Sequence, residues 1–92
     1  MSVCTGALLL GKAGLLEGLE VTTHRVGFEL LRELVPTATV HENRRFVDNG
    51  KVVTAAGIAA GIDMSLHIVE RFLGGETAVA TASHMEYSLR RP

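Results

Sequence analysis

The sequence predicts an α/β layered fold with a mainly parallel sheet and one β-hairpin. Three observations carry this expectation. Short β-branched runs alternate with helical patterns along the 92 residues. The apolar content is 47% and nearly all aliphatic, with only Phe28, Phe46, Phe72 and Tyr87 aromatic. One Asn-Gly pair, Asn49-Gly50, separates two apolar runs. That pair is a strong hairpin signal, because both central residues of a type I′ turn need positive φ.

The elements follow in order. A first helix is expected from Thr5 to about Ala13, ended by Gly14 or Gly18. Glu20-Val21-Thr22-Thr23 is rich in β-branched residues and reads as a strand. Gly27 to Leu34 forms a helix with Phe28, Leu31 and Leu34 on one face, and Pro36 stops it. Thr39-Val40-His41 is a second short strand. Arg45-Phe46-Val47 and Lys51-Val52-Val53-Thr54 are the arms of the hairpin. A small-residue loop, Ala55 to Gly61, leads into a helix ending near Leu73, with Asp63 near its start. Its expected core stripe is Ile62, Leu66, Val69 and Leu73. Gly74-Gly75 breaks it, and a last helix from Glu76 to Met85 is carried by Val79, Ala82 and Met85. Repeats, low-complexity tracts and linkers are absent, so residues 1–92 read as one domain.

Composition narrows the function classes. Nine Lys+Arg against ten Asp+Glu leave a formal charge of −1. That balance gives no electrostatic footprint for nucleic acid or an anionic membrane. The chain opens without a signal-peptide pattern, and no apolar run approaches the ~20 residues that span a bilayer. A single cysteine excludes an internal disulfide, so the expected compartment is the cytoplasm. His24, His41, His67 and His84 have no i,i+4 pairing, so neither a metal nor another cofactor is expected. Gly6-Ala7-Leu8-Leu9-Leu10-Gly11-Lys12 matches a phosphate-binding loop until Ala13, where Ser or Thr would hold Mg²⁺.

The chemistry concentrates at Ser2-Val3-Cys4-Thr5-Gly6, which leads straight into an apolar helical run. This is the pattern of a nucleophile elbow, with the reactive side chain at a sharp strand-to-helix turn. Ser2 stands at the first glycine position of the G-x-S-x-G form and Gly6 at the second. Helix N-termini favour thiolate over thiol. His24 ends the strand Val21-Thr22-Thr23, and in parallel α/β sheets catalytic groups gather beyond the carboxyl ends of the strands. Cys4 and His24 would thus share a crevice as nucleophile and base.

Taken together, these residues resemble the ThiJ/PfpI superfamily, the class I glutamine amidotransferase-like group. Ser2-Val3-Cys4-Thr5-Gly6-Ala7-Leu8 resembles its elbow, and Val21-Thr22-Thr23-His24 its histidine-bearing strand end. Glu42-Asn43-Arg44 with Val47-Asp48-Asn49-Gly50 is similar to its hairpin. Val53 to Asp63 is similar to its Thr-Ser-Ala-Gly-x-x-Ala-Gly-x-Asp loop, and Leu66 to Glu70 and Met85-Glu86-Tyr87 to its last helices. The wording is nearest the isonitrile hydratase branch and the amidase-like ligand domains of AraC-type regulators, except that Arg25 stands where an aromatic residue usually follows the histidine.

The resemblance implies a flavodoxin-like α/β/α sandwich of which this chain supplies the C-terminal half. The other half brings the opening strands and an acid that contacts the cysteine. It further implies a cysteine-dependent hydratase or hydrolase of a small electrophilic substrate. Cys4 would be its nucleophile and His24 its proton carrier. The Thr5 and Gly6 N–H groups would be its oxyanion donors, and Glu42 a candidate supporting acid. A homodimer or a complementing N-terminal half is the expected partner. The alternative it implies is a non-catalytic small-molecule-sensing domain related to AraC-type regulators.

Overall fold

In the computed structural model, which describes residues 1–89, glycine and proline place the element boundaries close to where the sequence predicts them. Helix α1 spans Gly6–Lys12 and ends before Gly14, whose φ is 80°. Strand β1 is Glu20–Val21, and a 3-10 turn at Arg25–Gly27 leads into helix α2, Phe28–Leu34. Strand β2 is Thr39–Val40, β3 is Phe46–Asp48 and β4 is Val53–Ala55. Helices α3, Ile58–Leu73, and α4, Gly75–His84, complete the order.

Strands β1 and β2 pair in parallel, with Glu20 opposite Thr39 and Val21 opposite Val40. Strands β3 and β4 form the antiparallel hairpin, with Val47 opposite Thr54. The N-terminal residues lie beside β4 as a further parallel partner, since Ser2 bridges Thr54. The Ser2 N–H donates to the Val53 carbonyl at 2.9 Å and the Ala55 N–H to the Ser2 carbonyl at 2.8 Å. On the other side, the His24 N–H donates to the Cys4 carbonyl at 3.2 Å. Residues 2–4 are therefore held between β4 and the chain leaving β1. The architecture is the predicted α/β class: a partial flavodoxin-like layering with parallel pairing and one hairpin.

Two apolar clusters fill the layers. Ala7, Leu16, Val21, Leu31 and Val35 form one, with Val52 packed on it. Phe46, Val53, Ala55 and Met64 form the other, with Ile68 packed on it. Val52 and Val53 are adjacent, and successive residues of an extended chain point to opposite faces. The hairpin therefore feeds both clusters.

Three local expectations change. The turn after β3 is not type I′: among the described residues Gly50 has φ 87°, but Asn49 is not in the left-handed region. The Gly50 N–H donates to Asp48 Oδ1 at 2.6 Å, and the Asn49 side chain bonds the backbone of Glu20, so side chains set the turn. Helix α3 buries Ala60, Gly61, Asp63, Met64 and Leu66, whereas Leu73 is 67% exposed. It is rotated from the predicted stripe because one face meets the hairpin, through Met64, while another meets α4. Helix α4 buries the small residues Ala78 and Ala82, and leaves Val79 and Met85 exposed.

Candidate active site

The chain must pass from the extended segment Ser2–Val3 into α1 within two residues. It does so by placing Cys4 at φ 57°, in the left-handed region. For a residue with a Cβ this conformation costs about 1–2 kcal/mol, and it persists only when its surroundings over-determine it. Here they do. The Cys4 N–H donates to the Ala56 carbonyl at 2.6 Å. The Cys4 carbonyl accepts the Thr23 hydroxyl at 2.6 Å and the His24 N–H at 3.2 Å.

Small residues let the chain double back. A Cβ placed on Gly6 would sit 3.5 Å from the Cβ of Ser2. Ser2 is buried, and among the described residues its Oγ has no hydrogen-bond partner. From the other layer, α3 presses on Val3: a Cβ at Gly61 would lie 2.7 Å from Val3 Cγ1, so only glycine allows this approach. Cys4 itself is half-buried at the turn.

His24 reaches the same edge through its backbone bond to Cys4. Its Nδ1 accepts the Val26 N–H at 3.2 Å and so caps the 3-10 turn. That bond assigns the neutral ring's proton to Nε2. The ring lies over the loop after β4, with Cδ2 3.7 Å from where a Cβ on Gly57 would stand. Among the described residues, the His24 ring and the Cys4 thiol make no side-chain hydrogen bond to each other.

The two expected oxyanion donors are in different situations. The Gly6 N–H donates to the Val3 carbonyl at 3.0 Å, whereas Thr5 is exposed at the entry to α1. Glu42 lies at the surface against Arg32, which also meets Glu29 at 2.9 Å. The hydrogen bond that Arg32 donates to Glu42 raises the Arg32 guanidinium above its ordinary range. The partner of Glu42 in this structure is thus a guanidinium rather than the thiol.

Behind the elbow stands a support that the motif does not announce. Asp63 is fully buried, its Oδ2 2.6 Å from Arg45 Nε and its Oδ1 accepting the Tyr87 hydroxyl at 3.0 Å. The bond to Asp63 is also the main reason the Arg45 guanidinium is raised. The Arg45 carbonyl accepts the Ala56 N–H at 2.9 Å, and Ala56 in turn holds Cys4. Thr23, Ala56 and Asp63 thus position the elbow through contacts distant in sequence. The nearest signal for them was adjacency: Thr23 precedes His24.

Beside Val3, the groove between α3 and α4 encloses about 400 Å³ and is lined by Ile58, Ile62, Leu66, Val69 and Met85 among others. Among the described residues, no group of three His, Cys, Asp or Glu side chains could hold a metal ion. No helix among them is long and apolar enough to cross a membrane.

Comparison with known proteins agrees with this geometry. The DJ-1/PfpI family pattern matches residues 1–71. Isonitrile hydratase from Pseudomonas putida is 40% identical over 91 residues, covering 99% of this chain and 39% of that protein. The HTH-type transcriptional regulator GbdR from Pseudomonas aeruginosa is 30% identical over 86 residues, covering 94% of this chain and 23% of the regulator. The crystal structure of a ThiJ/PfpI family protein from Pseudomonas syringae superposes with a TM-score of 0.85 at 33% identity, covering 99% of this chain and 37% of that one. The chain therefore spans less than half the length of these relatives. With the elbow, the histidine after β1 and the short Ala56-Gly57 link, narrower than the expected Ala55–Gly61 loop because α3 starts at Ile58, in one arrangement, the chain belongs to the DJ-1/PfpI family.

Proposed function

We propose that this chain carries the reactive half of a cysteine-dependent hydratase or hydrolase acting on a small electrophile, of isonitrile hydratase or amidase type. The observation that supports it most is the left-handed Cys4 at a strand-to-helix turn, held by three hydrogen bonds. Strain retained at one residue is a feature of functional sites. The 40% identity to isonitrile hydratase supports the same reading.

In the isonitrile case the Cys4 sulfur bonds to the terminal carbon of R–NC, and that carbon takes a proton through His24, giving a thioimidate. Water then adds to the carbon, the C–S bond breaks, the nitrogen takes a proton and the thiol is restored, leaving R–NH–CHO. His24 is the group proposed to move these protons: Nε2–H can donate, and Nδ1 takes up a proton once it is released from the Val26 N–H. In the amidase case the Thr5 N–H is the donor proposed for the developing oxyanion, with Gly6 shaping the turn. Glu42, ion-paired with Arg32 at the surface, has no step in this mechanism.

The site is proposed to work with a partner that covers the apolar groove beside Val3, either a second copy or a complementing N-terminal half. A single domain, the cytoplasm as compartment, and no nucleic-acid or membrane partner complete the proposal. The test is incubation with cyclohexyl isocyanide. N-cyclohexylformamide should form, and Cys4→Ala should abolish it. Silence from both proteins, with and without a complementing half, would overturn the reading.

The identity to the regulator GbdR favours a second reading, in which the same crevice senses a small molecule without turnover. A ligand that binds equally well to Cys4→Ala and is recovered unchanged would select it.

A further inference from the structure

We propose that Thr23 is a positioning residue, which aims the oxyanion donor by locking the Cys4–Thr5 peptide. The inference rests on the cysteine-nucleophile reading above. Thr23 is fully buried, and its hydroxyl donates to the Cys4 carbonyl at 2.6 Å. That carbonyl and the Thr5 N–H belong to one planar peptide unit. The described chain has no cis peptide bonds, so the two groups point in opposite directions. Pinning the carbonyl toward Thr23 therefore fixes the Thr5 N–H on the opposite side of that peptide.

The His24 N–H is a weaker second restraint at 3.2 Å, and it comes from the residue whose own ring caps the next turn. Without the Thr23 hydroxyl, the peptide keeps one restraint and can rotate. The thiol itself is held by a different bond, from the Cys4 N–H to Ala56 at 2.6 Å. Thr23 thus controls the oxyanion donor separately from the nucleophile. The two roles separate experimentally, because alkylation of a thiol by iodoacetamide develops no oxyanion, whereas acyl transfer does.

The test uses the 92-residue chain, alone and with a complementing N-terminal half, with p-nitrophenyl acetate and, in parallel, iodoacetamide. In the acyl transfer, the Cys4 sulfur bonds to the carbonyl carbon, the carbon–oxygen bond to p-nitrophenolate breaks, and the thiol proton passes to His24. Thr23→Val keeps the shape and removes the hydroxyl. Its Cys4-dependent burst should slow about tenfold or more, while its alkylation rate stays within about twofold of the unmodified chain. Thr23→Ser should restore the burst to within about twofold. Should the valine variant not fold, Thr23→Ser against Thr23→Ala isolates the same hydroxyl. A variant lacking the hydroxyl that acylates normally, or that loses acylation and alkylation in equal proportion, overturns the inference and leaves the nucleophile reading standing. A burst that is absent both with and without the complementing half, or that survives Cys4→Ala, overturns the nucleophile reading and this inference with it.

Discussion

Glycine at position 4 should make this protein more stable than alanine does, the reverse of the usual order. In an ordinary extended or helical position glycine is worse than alanine by about 0.5–1 kcal/mol, because the unfolded chain loses more freedom on folding. Cys4 has φ 57°, where any residue with a Cβ carries about 1–2 kcal/mol of strain. Cys4→Ala keeps that strain and Cys4→Gly releases it. The two terms oppose, and the net expectation is that the glycine variant exceeds the alanine variant by about 0.5–1 kcal/mol. For a domain of this size that is a difference in Tm of about 2–8 °C. Both variants lack the sulfur, so its loss largely cancels in the comparison. Urea denaturation and thermal melts followed by circular dichroism measure it. An alanine variant equal to or more stable than the glycine variant would refute the claim that the folded chain holds Cys4 in a left-handed conformation. It would remove the structural support for the elbow as well.

The remaining expectations concern the frame around Cys4. Ser2→Ala should raise stability by about 1 kcal/mol in urea denaturation, because the Ser2 Oγ is buried and has no hydrogen-bond partner among the described residues. Gly61→Ala should destabilise by about 1–3 kcal/mol, since the new methyl group meets Val3 Cγ1, and adding Val3→Ala should recover part of that loss in a double-mutant cycle. Burial alone would raise the Asp48 carboxyl. The hydrogen bonds from His67 and Gly50 and the charge of Arg71 outweigh it and hold the group below its ordinary 3.8. A depressed folded-state value means a contribution that is present above the unfolded value and lost as pH falls through the folded one. Acid denaturation should therefore show the unmodified protein losing its advantage over Asp48→Asn below about pH 4. An advantage that stays constant down to pH 2 would be the contrary result.

Much of the fold was legible because it is written in local chemistry. Gly14, Pro36 and Gly74 end their helices near the expected places, because positive φ at glycine and the fixed ring of proline act within one turn. Helix α3 was found in place but its buried face was not. Periodicity shows that Ile62, Leu66, Val69 and Leu73 share a side, yet not that the hairpin claims Met64 and Ile68 while Leu73 faces solvent. The turn at Asn49 departed from type I′ because its amide is engaged by Glu20, a residue 29 positions away. Cys4 and His24 stood out as an elbow and a strand end. Thr23 and Asp63 appeared only as parts of the strand end and the loop motif, and their contacts were not legible, because hydrogen bonds to Cys4 and Arg45 join distant segments.

The sequence alone determined the order and type of the elements and singled out Cys4 and His24 as candidates. It did so because glycine, proline, β-branched runs and a lone cysteine before a helix each act on their immediate neighbours. Only the tertiary structure decided that Cys4 is strained and what restrains it. The Cys4 N–H is held by Ala56 and its carbonyl by Thr23 and His24, and Gly61 lets α3 close on Val3. Those contacts join segments distant in the chain, and their geometry exists only once the layers have packed.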